Sequence, residues 1–472
     1  MKKIYNIAII IILAFGIFLR IYPLNFPFSH DEWYTYDIVN RGFVDMNIQM
    51  YNDVHVPLYF YLAKIFTLLF GMSEINLRLL SVLFGLLGII IFAKFCMTFF
   101  NKRITILGTA ITSLSIFHVS YSQIARMYSL LFLLASASLY FLFSLLFKKK
   151  KYSRLGYIFV NLGILYTHIF GVFLLFFNVV ILYRYRKKII DLRNTIRDHL
   201  IILVGALPVW LFIGVQILRK MNGTSYGNWM PPTKLSDIYS TFAALSSNDI
   251  LVIPFLILFI YFIINHFCQK NCGGETYMVE EIIIIGLVIC FVLPSIITLI
   301  SPLFAWRYFF IVYPIFILCI CLMFERISSQ YRPAYLLLVF ATLVLLGMSD
   351  ITDINKKNSD QIKEQMCLQS VKTVISKYQK LDTILVSSRW LNEWVPNHRS
   401  ITGAHKRLRE ILGTDTLLVN DYNTDLTPQL EDHEYILNIS PSEWGETFIK
   451  TDNLKLIARG DCYGYHYRIY KK

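Results

Sequence analysis

A succession of apolar runs, each close to the length that crosses the roughly 30 Å hydrocarbon core of a bilayer, leaves this chain few ways to fold. Inside that core backbone N–H and C=O groups find no water, so such segments cross it as helices, whose hydrogen bonds are made internally. The runs lie at 7–22, 77–100, 104–121, 128–147, 155–183 as two short passes, 200–218, 250–267, 282–300, 308–324 and 334–348. They predict about eleven transmembrane helices. Of the 472 residues 56% are hydrophobic and 16% aromatic, which excludes an ordinary soluble protein. Lys2 and Lys3 precede the first run as in a secretory signal, but Phe26-Pro27-Phe28 stands where a cleavage site needs small residues, so an uncleaved first span is expected. The expected fold class is a polytopic α-helical membrane protein.

The formal charge of +14 would suggest nucleic acid as the partner of a soluble protein. Here the basic excess collects in short loops: Lys102 and Arg103, then Lys148 to Lys151 with Arg154, then Arg184, Arg186, Lys187, Lys188, Arg193 and Arg197. Those are the loops that face the cytoplasm if the N-terminus does, as the positive-inside rule requires, so topology accounts for the charge and no nucleic-acid partner is expected. An odd number of passes then puts both the first long loop, 25–76, and the tail, 350–472, on the extracytoplasmic side of a cell membrane. The expected division is a membrane module over 1–349 and a small α/β domain over 350–472. That domain is read from an amphipathic helix at 360–378 and short alternating strands at 383–386, 435–439, 454–458 and 465–470. Cys367 and Cys462 are its only cysteines and would be free to pair in an oxidising compartment.

Asp31-Glu32 stands a few residues beyond the first span, in a loop that also holds Asp53 and His55 and an amphipathic stretch from Pro57 to Phe70. A loop of this size is rarely a mere connector. A second outer loop, 220–248, contains Trp229-Met230-Pro231-Pro232 and is read as a lid. Arg126-Met127-Tyr128, Tyr166-Thr167-His168 and Arg307-Tyr308 fall at the outer ends of later helices, so all of these groups reach the side of the membrane that Asp31 faces. Such a set suits transfer of a sugar from a polyprenyl phosphate carrier. Asp31 or Glu32 can act as the base that takes the proton of an acceptor hydroxyl. Arg126 and Arg307 offer guanidinium groups whose paired donors match phosphate oxygens, and His55 and Tyr128 add hydrogen bonds. Each group also has a plainer reading: the acids as a helix N-cap, the arginines as anchors at helix ends, Pro57 as the first turn of a helix after His55, and His168 as a satisfied core histidine.

Taken in chain order these motifs resemble the GT-C class of membrane glycosyltransferases, in particular the protein O-mannosyltransferases and their bacterial relatives, the lipid A aminoarabinose transferases. The resemblance rests on Asp31-Glu32 after the first span, His55-Val56-Pro57-Leu58-Tyr59 closing the first outer loop, Arg126-Met127-Tyr128 opening a later helix, and Arg78-Leu79-Leu80-Ser81 in the second span. Val56 stands where that family usually has proline, and the tail lacks the β-trefoil of the eukaryotic members. The resemblance implies Asp31 as the principal catalytic carboxylate with Glu32 beside it, and Asp53, His55, Arg126, Tyr128, His168, Arg307 and Tyr308 as substrate-binding residues. It also implies an inverting hexosyl- or pentosyltransferase that acts on an extracytoplasmic lipid, glycan or protein acceptor without a required cofactor or resident metal. The oxygen-rich set Asp31, Glu32, Asp53 and His55 is still compatible with magnesium or manganese. Two alternatives stay open: a flippase or transporter for a lipid-linked sugar, which needs the arginines but no base, and a non-catalytic membrane scaffold.

Overall fold

In a computed structural model the chain is almost wholly helical. Residues 2–375 are described apart from 27, 54, 149–152, 189–191, 223–232, 269–273 and 301–304, together with five strands between 383 and 471. The Trp229-Met230-Pro231-Pro232 segment and the side chains of Cys367 and Cys462 lie outside the described residues. The chain forms two compact units, one of Met1–Leu24 and Ile38–Ile354, the other of Asn25–Asp37 and Asn355–Lys472.

The helices are α1 (Lys2–Ile21), α2 (His30–Asn40), α3 (Phe43–Asn52), α4 (Leu58–Phe70), α5 (Glu74–Phe99) and α6 (Lys102–Leu114). Next come α7 (Ile116–Ser122), α8 (Tyr128–Phe143), α9 (Ser153–Thr167), α10 (Gly171–Arg184), α11 (Leu192–Gly205) and α12 (Leu207–Met221). The last are α13 (Leu235–Ser246), α14 (Asp249–Cys268), α15 (Glu275–Leu287), α16 (Leu293–Ile300), α17 (Tyr313–Gln330) and α18 (Arg332–Ile375). Among the described residues 5 helices are long and apolar enough to cross a membrane, and the number reaches 7 when each of two bent pairs is taken as one span. This is a multi-pass membrane architecture.

The bent pairs mark where a single straight pass was expected. The run at 104–121 breaks at Ser115, where α6 and α7 meet at 55°. Ser115 accepts the backbone N–H of His118 on its hydroxyl at 3.2 Å and so starts a new helix as an N-cap. The run at 200–218 breaks at Ala206, and α11 and α12 also meet at 55°. Pro208, which follows, has no N–H with which to continue the ladder. The paired short passes read at 155–183 are α9 and α10, and the amphipathic stretch after Pro57 is α4.

The centre of the first unit is built where α5 packs on α8. Phe92, Phe95, Phe132 and Phe143 are all 0% exposed, and Phe95 meets Phe143 edge-on at 5.0 Å. Gly88 makes the approach possible: a Cβ there would stand 2.7 Å from a Phe132 ring carbon. Small residues at such crossings are the usual means by which membrane helices gain contact, since lipid is as apolar as the side chains themselves. Outward faces remain apolar, as with Ile10, Phe159, Leu337 and Phe340, each more than 60% exposed. In water such a surface would aggregate; facing lipid it is at rest.

The second unit contains the start of α2, the later part of α18 and strands β1 (Thr383–Ser387), β2 (Thr416–Asn420), β3 (Tyr435–Pro441), β4 (Lys455–Cys462) and β5 (Tyr465–Lys471). They form one sheet in the order β2-β1-β3-β5-β4. β1 runs parallel to both neighbours, with Ile384 opposite Leu437 of β3, while β5 is antiparallel to β3 and β4.

Candidate functional site

Four connecting segments of the first unit bring their polar residues together. The first is the short link between α3 and α4. Asp53 closes α3, its N–H bonding to Gln49 O and Met50 O, and Pro57 opens α4, so His55 is held between two helix ends. The second is the turn between α7 and α8, where the Arg126 N–H bonds to Ile124 O at 2.7 Å and the Arg126 carbonyl accepts Ser81 Oγ at 3.3 Å. Ser81 is itself held by the Tyr59 hydroxyl at 2.8 Å. The third is the turn between α9 and α10, which carries His168, and the fourth is the 3-10 turn Trp306–Ile311 ahead of α17, which carries Arg307 and Tyr308.

Asp53, His55 and Arg126 form a chain of contacts. Arg126 Nη2 lies 2.6 Å from His55 Nε2, and His55 Nδ1 lies 3.2 Å from Asp53 Oδ2. A guanidinium can only donate, so His55 Nε2 is the acceptor and the imidazole proton sits on Nδ1, facing the carboxylate. Arg126 is 3% exposed, which puts its charge in a poorly screened place. Across from it, the ring of His168 stands 6.2 Å from that of Tyr128 and 4.8 Å from that of Tyr308. The Phe170 N–H donates to His168 Nδ1 at 3.2 Å, which leaves the proton of this second imidazole on Nε2. Burial first, and then the neighbouring His55, Arg126 and Arg307, together lower the His168 pKa to about 3. The cluster is thus an enclosed, electropositive place suited to an anion.

Beside it opens a cavity of about 240 Å³, edged by His55 and walled by apolar side chains that include Met50, Val56, Pro57, Val209 and Phe212. A polar end and an apolar wall meet at His55.

The seven residues expected to bind substrate, Asp53, His55, Arg126, Tyr128, His168, Arg307 and Tyr308, therefore lie in one unit and around one cluster. Asp31 and Glu32 stand in the second unit, on the first turn of α2. Glu32 is 0% exposed and its Oε2 accepts the Ser29 N–H at 2.9 Å and the Ser29 hydroxyl at 3.0 Å. With the Ser29 backbone carbonyl accepting the Glu32 N–H at 3.0 Å, the carboxylate makes its half of a capping box, bonding back to the N–H ahead of the helix, which is the plainer of the two readings of an acid at that place. Asp31 is half-buried and its carbonyl accepts the Thr35 hydroxyl at 3.2 Å. Among the described residues no group of three or more His, Cys, Asp or Glu is placed to hold a metal ion.

Two supports of this cluster have no signature in the linear chain. Gln216 Nε2 of α12 donates to Asp53 O at 2.8 Å and Tyr51 O at 3.2 Å, and Arg219 Nη1 donates to Tyr51 O at 2.9 Å. Both lie more than 160 positions along the chain from their partners, a separation no linear motif bridges.

Residues 54–212, which include His55, Arg126, Tyr128 and His168, match the family model of the dolichyl-phosphate-mannose-protein mannosyltransferases. The fold is similar to that of ArnT from Cupriavidus metallidurans in the apo state, with a TM-score of 0.64 at 11% identity over 99% of this chain and 98% of that one. The same protein bound to undecaprenyl phosphate gives 0.58 at 11% identity over 99% and 97%. An oligosaccharyltransferase from Archaeoglobus fulgidus, tethered to an acceptor peptide, gives 0.56 at 11% identity over 94% of this chain and 70% of that one. No curated protein matches. The chain therefore shares its fold with these ArnT and oligosaccharyltransferase structures. The family match over 54–212 and these likenesses bear out the resemblance to the mannosyltransferase and ArnT type.

Proposed function

We propose that this chain transfers a sugar from a polyprenyl phosphate carrier to an acceptor on the extracytoplasmic side of the membrane, inverting the anomeric centre. Asp31 takes the proton of the acceptor hydroxyl as its oxygen attacks the anomeric carbon. The bond from that carbon to the phosphate oxygen breaks, and the leaving phosphate, now bearing an extra negative charge, is met by Arg126 and Arg307. His55, oriented by Asp53, holds the Arg126 guanidinium in place, and Tyr128, His168 and Tyr308 shape the sugar subsite.

The observation that carries this reading is the Asp53–His55–Arg126 chain beside an apolar cavity, with Arg126 and Arg307 both near enough to His168 to act on its charge. A phosphate joined to an isoprenoid needs positive charge and an apolar wall at adjacent places. The likeness to an ArnT structure bound to undecaprenyl phosphate supports the choice of carrier class. About eleven passes, with an inward-facing N-terminus, would put this cluster and a small α/β domain outside the cytoplasm. Since two arginines supply the positive charge, transfer in this reading needs no resident metal, and its rate should survive chelation with EDTA.

The test is to supply the purified protein, in lipid nanodiscs, with a panel of radiolabelled polyprenyl phosphate sugars and to follow release of the free polyprenyl phosphate. Consumption of at least one donor, abolished in Asp31→Asn while donor binding persists, is the expected result. A protein that moves labelled lipid between leaflets but cleaves none, and does so equally well with Asp31→Asn, would be a transporter instead.

A further inference from the structure

Arg20 lies within the first apolar run yet is 0% exposed, and its surroundings explain why a charge is tolerated there. Nη1 donates to Gly16 O at 2.8 Å and Ser113 O at 3.0 Å, and Nη2 donates to Thr112 O at 3.0 Å. Thr112 and Ser113 end α6 at the Ser115 break, where helix carbonyls lose their partners in the next turn. Arg20 Nη2 also lies 2.7 Å from His118 Nδ1 of α7, which must be the acceptor. One guanidinium thus bonds both sides of the break.

A second contact runs the other way. Gln123 Nε2, just past α7, donates to Leu19 O at 2.9 Å, one of the carbonyls left open at the end of α1. Arg78 of α5, 1% exposed, donates to Leu24 O at 2.7 Å and holds the chain as it leaves α1. The segment after Gln123 is the turn that carries Arg126, and the segment after Leu24 is the one that carries Asp31.

We infer that Arg20 and Gln123 are positioning residues, a reciprocal clamp that fixes the end of α1 and the Arg126 turn to each other. The inference rests on the transfer reading above. A break in a membrane helix can be closed by a serine alone, as Ser115 closes part of this one. Burying a guanidinium that reaches two helices, and returning a glutamine to the first, sets the orientation of the turn as well as its existence. The clamp lies wholly within the first unit and fixes, through α1 and α7, the turn from which the phosphate contact is supplied.

The test uses the full-length protein in nanodiscs with Arg20→Met, Arg20→Lys and Gln123→Leu. Misplacement by about 1 Å is expected to lower turnover per donor-binding site by about 100-fold in Arg20→Met, with donor KM changed less than about threefold. Lysine should restore part of the rate by reaching a carbonyl, and Gln123→Leu, which leaves the buried charge in place, should move turnover the same way. Reduced yield with wild-type turnover per donor-binding site would mean a purely structural role and would overturn the inference. Hydrogen exchange separates this question from that of activity: faster exchange at both 21–24 and 124–127 is expected in Arg20→Met. Unchanged exchange at 124–127 would overturn the clamp whether or not any sugar is transferred. If Arg20→Met does not fold, Gln123→Leu carries both measurements.

Discussion

Removing the Arg126 guanidinium should separate donor recognition from the rest of the site. The group is 3% exposed and its Nη2 lies 2.6 Å from His55 Nε2, so it is both desolvated and held in one orientation. Two parallel charge-assisted bonds to phosphate oxygens, at about 1.5–3 kcal/mol each, amount to roughly 3–6 kcal/mol of lost stabilisation in Arg126→Ala. At about 1.4 kcal/mol per factor of ten, kcat/KM should fall by roughly 10² to 10⁴. Arg126→Lys keeps the charge but not the paired donors, and should recover about half of that loss on a logarithmic scale. The alanine variant also leaves His55 Nε2 without this donor, at about 1–3 kcal/mol of folding stability, so melting temperature has to be followed alongside rate. In a double-mutant cycle with His55→Gln, the two rate effects should fall well short of adding, because both residues act on the same phosphate through one contact. The measurement is donor consumption against donor concentration in nanodiscs, normalised to folded protein. Rates within about threefold of wild type for both Arg126 variants would refute the assignment of a phosphate contact to this residue.

Other outcomes follow from the same geometry. His168 is neutral in the fold and its pKa of about 3 lies below that of an unfolded chain near 6.5, so the folded state binds fewer protons between those values. Its share of stability is whole above about pH 6.5 and is lost toward pH 3 at up to about 1.4 kcal/mol per pH unit. The melting temperature of His168→Gln should fall less steeply with acid, and equal slopes in a scanning fluorimetry series would contradict this. Asp31→Asn should lower turnover by about 10² to 10⁴-fold with donor affinity kept. Glu32→Gln, whose amide oxygen can still accept from Ser29, should keep most of the rate, whereas Glu32→Ala should cost about 1 kcal/mol of stability through the lost cap; a Glu32→Gln protein as dead as Asp31→Asn would assign Glu32 to the chemistry instead. Gly88→Leu should destabilise by about 1–3 kcal/mol, read as a lower melting temperature, because its Cβ meets the Phe132 ring.

Much of the helical layout is legible because a bilayer asks for long apolar runs, and runs survive in a linear string. α5, α8 and the pair α9 and α10 fall close to the expected bounds for that reason. Motif order likewise foretold that His55, Arg126, His168 and Tyr308 would share one neighbourhood. The breaks at Ser115 and Ala206 were hidden, since both lie inside apolar stretches, and the Arg20 contacts that accompany the first come from 92 to 98 positions away. α13 was missed as well: its sequence Leu235–Ser246 is short and mixed, and reads as loop until Asp237 is seen to bond the Lys234 N–H at 2.7 Å and start the helix. Glu32 shows the opposite difficulty. Its identity suits both a cap and a catalyst, and only the Ser29 contacts reveal the first of these uses.

α18 adds a condition on how the protein can be handled. Only 17% of its most apolar window is buried, so acyl chains reach much of that stretch. Membrane thickness therefore acts on this helix directly, and a bilayer too thin or too thick for it must be met by tilt or by local deformation. Acyl-chain length thus becomes an experimental variable in its own right, to be set as deliberately as pH or salt.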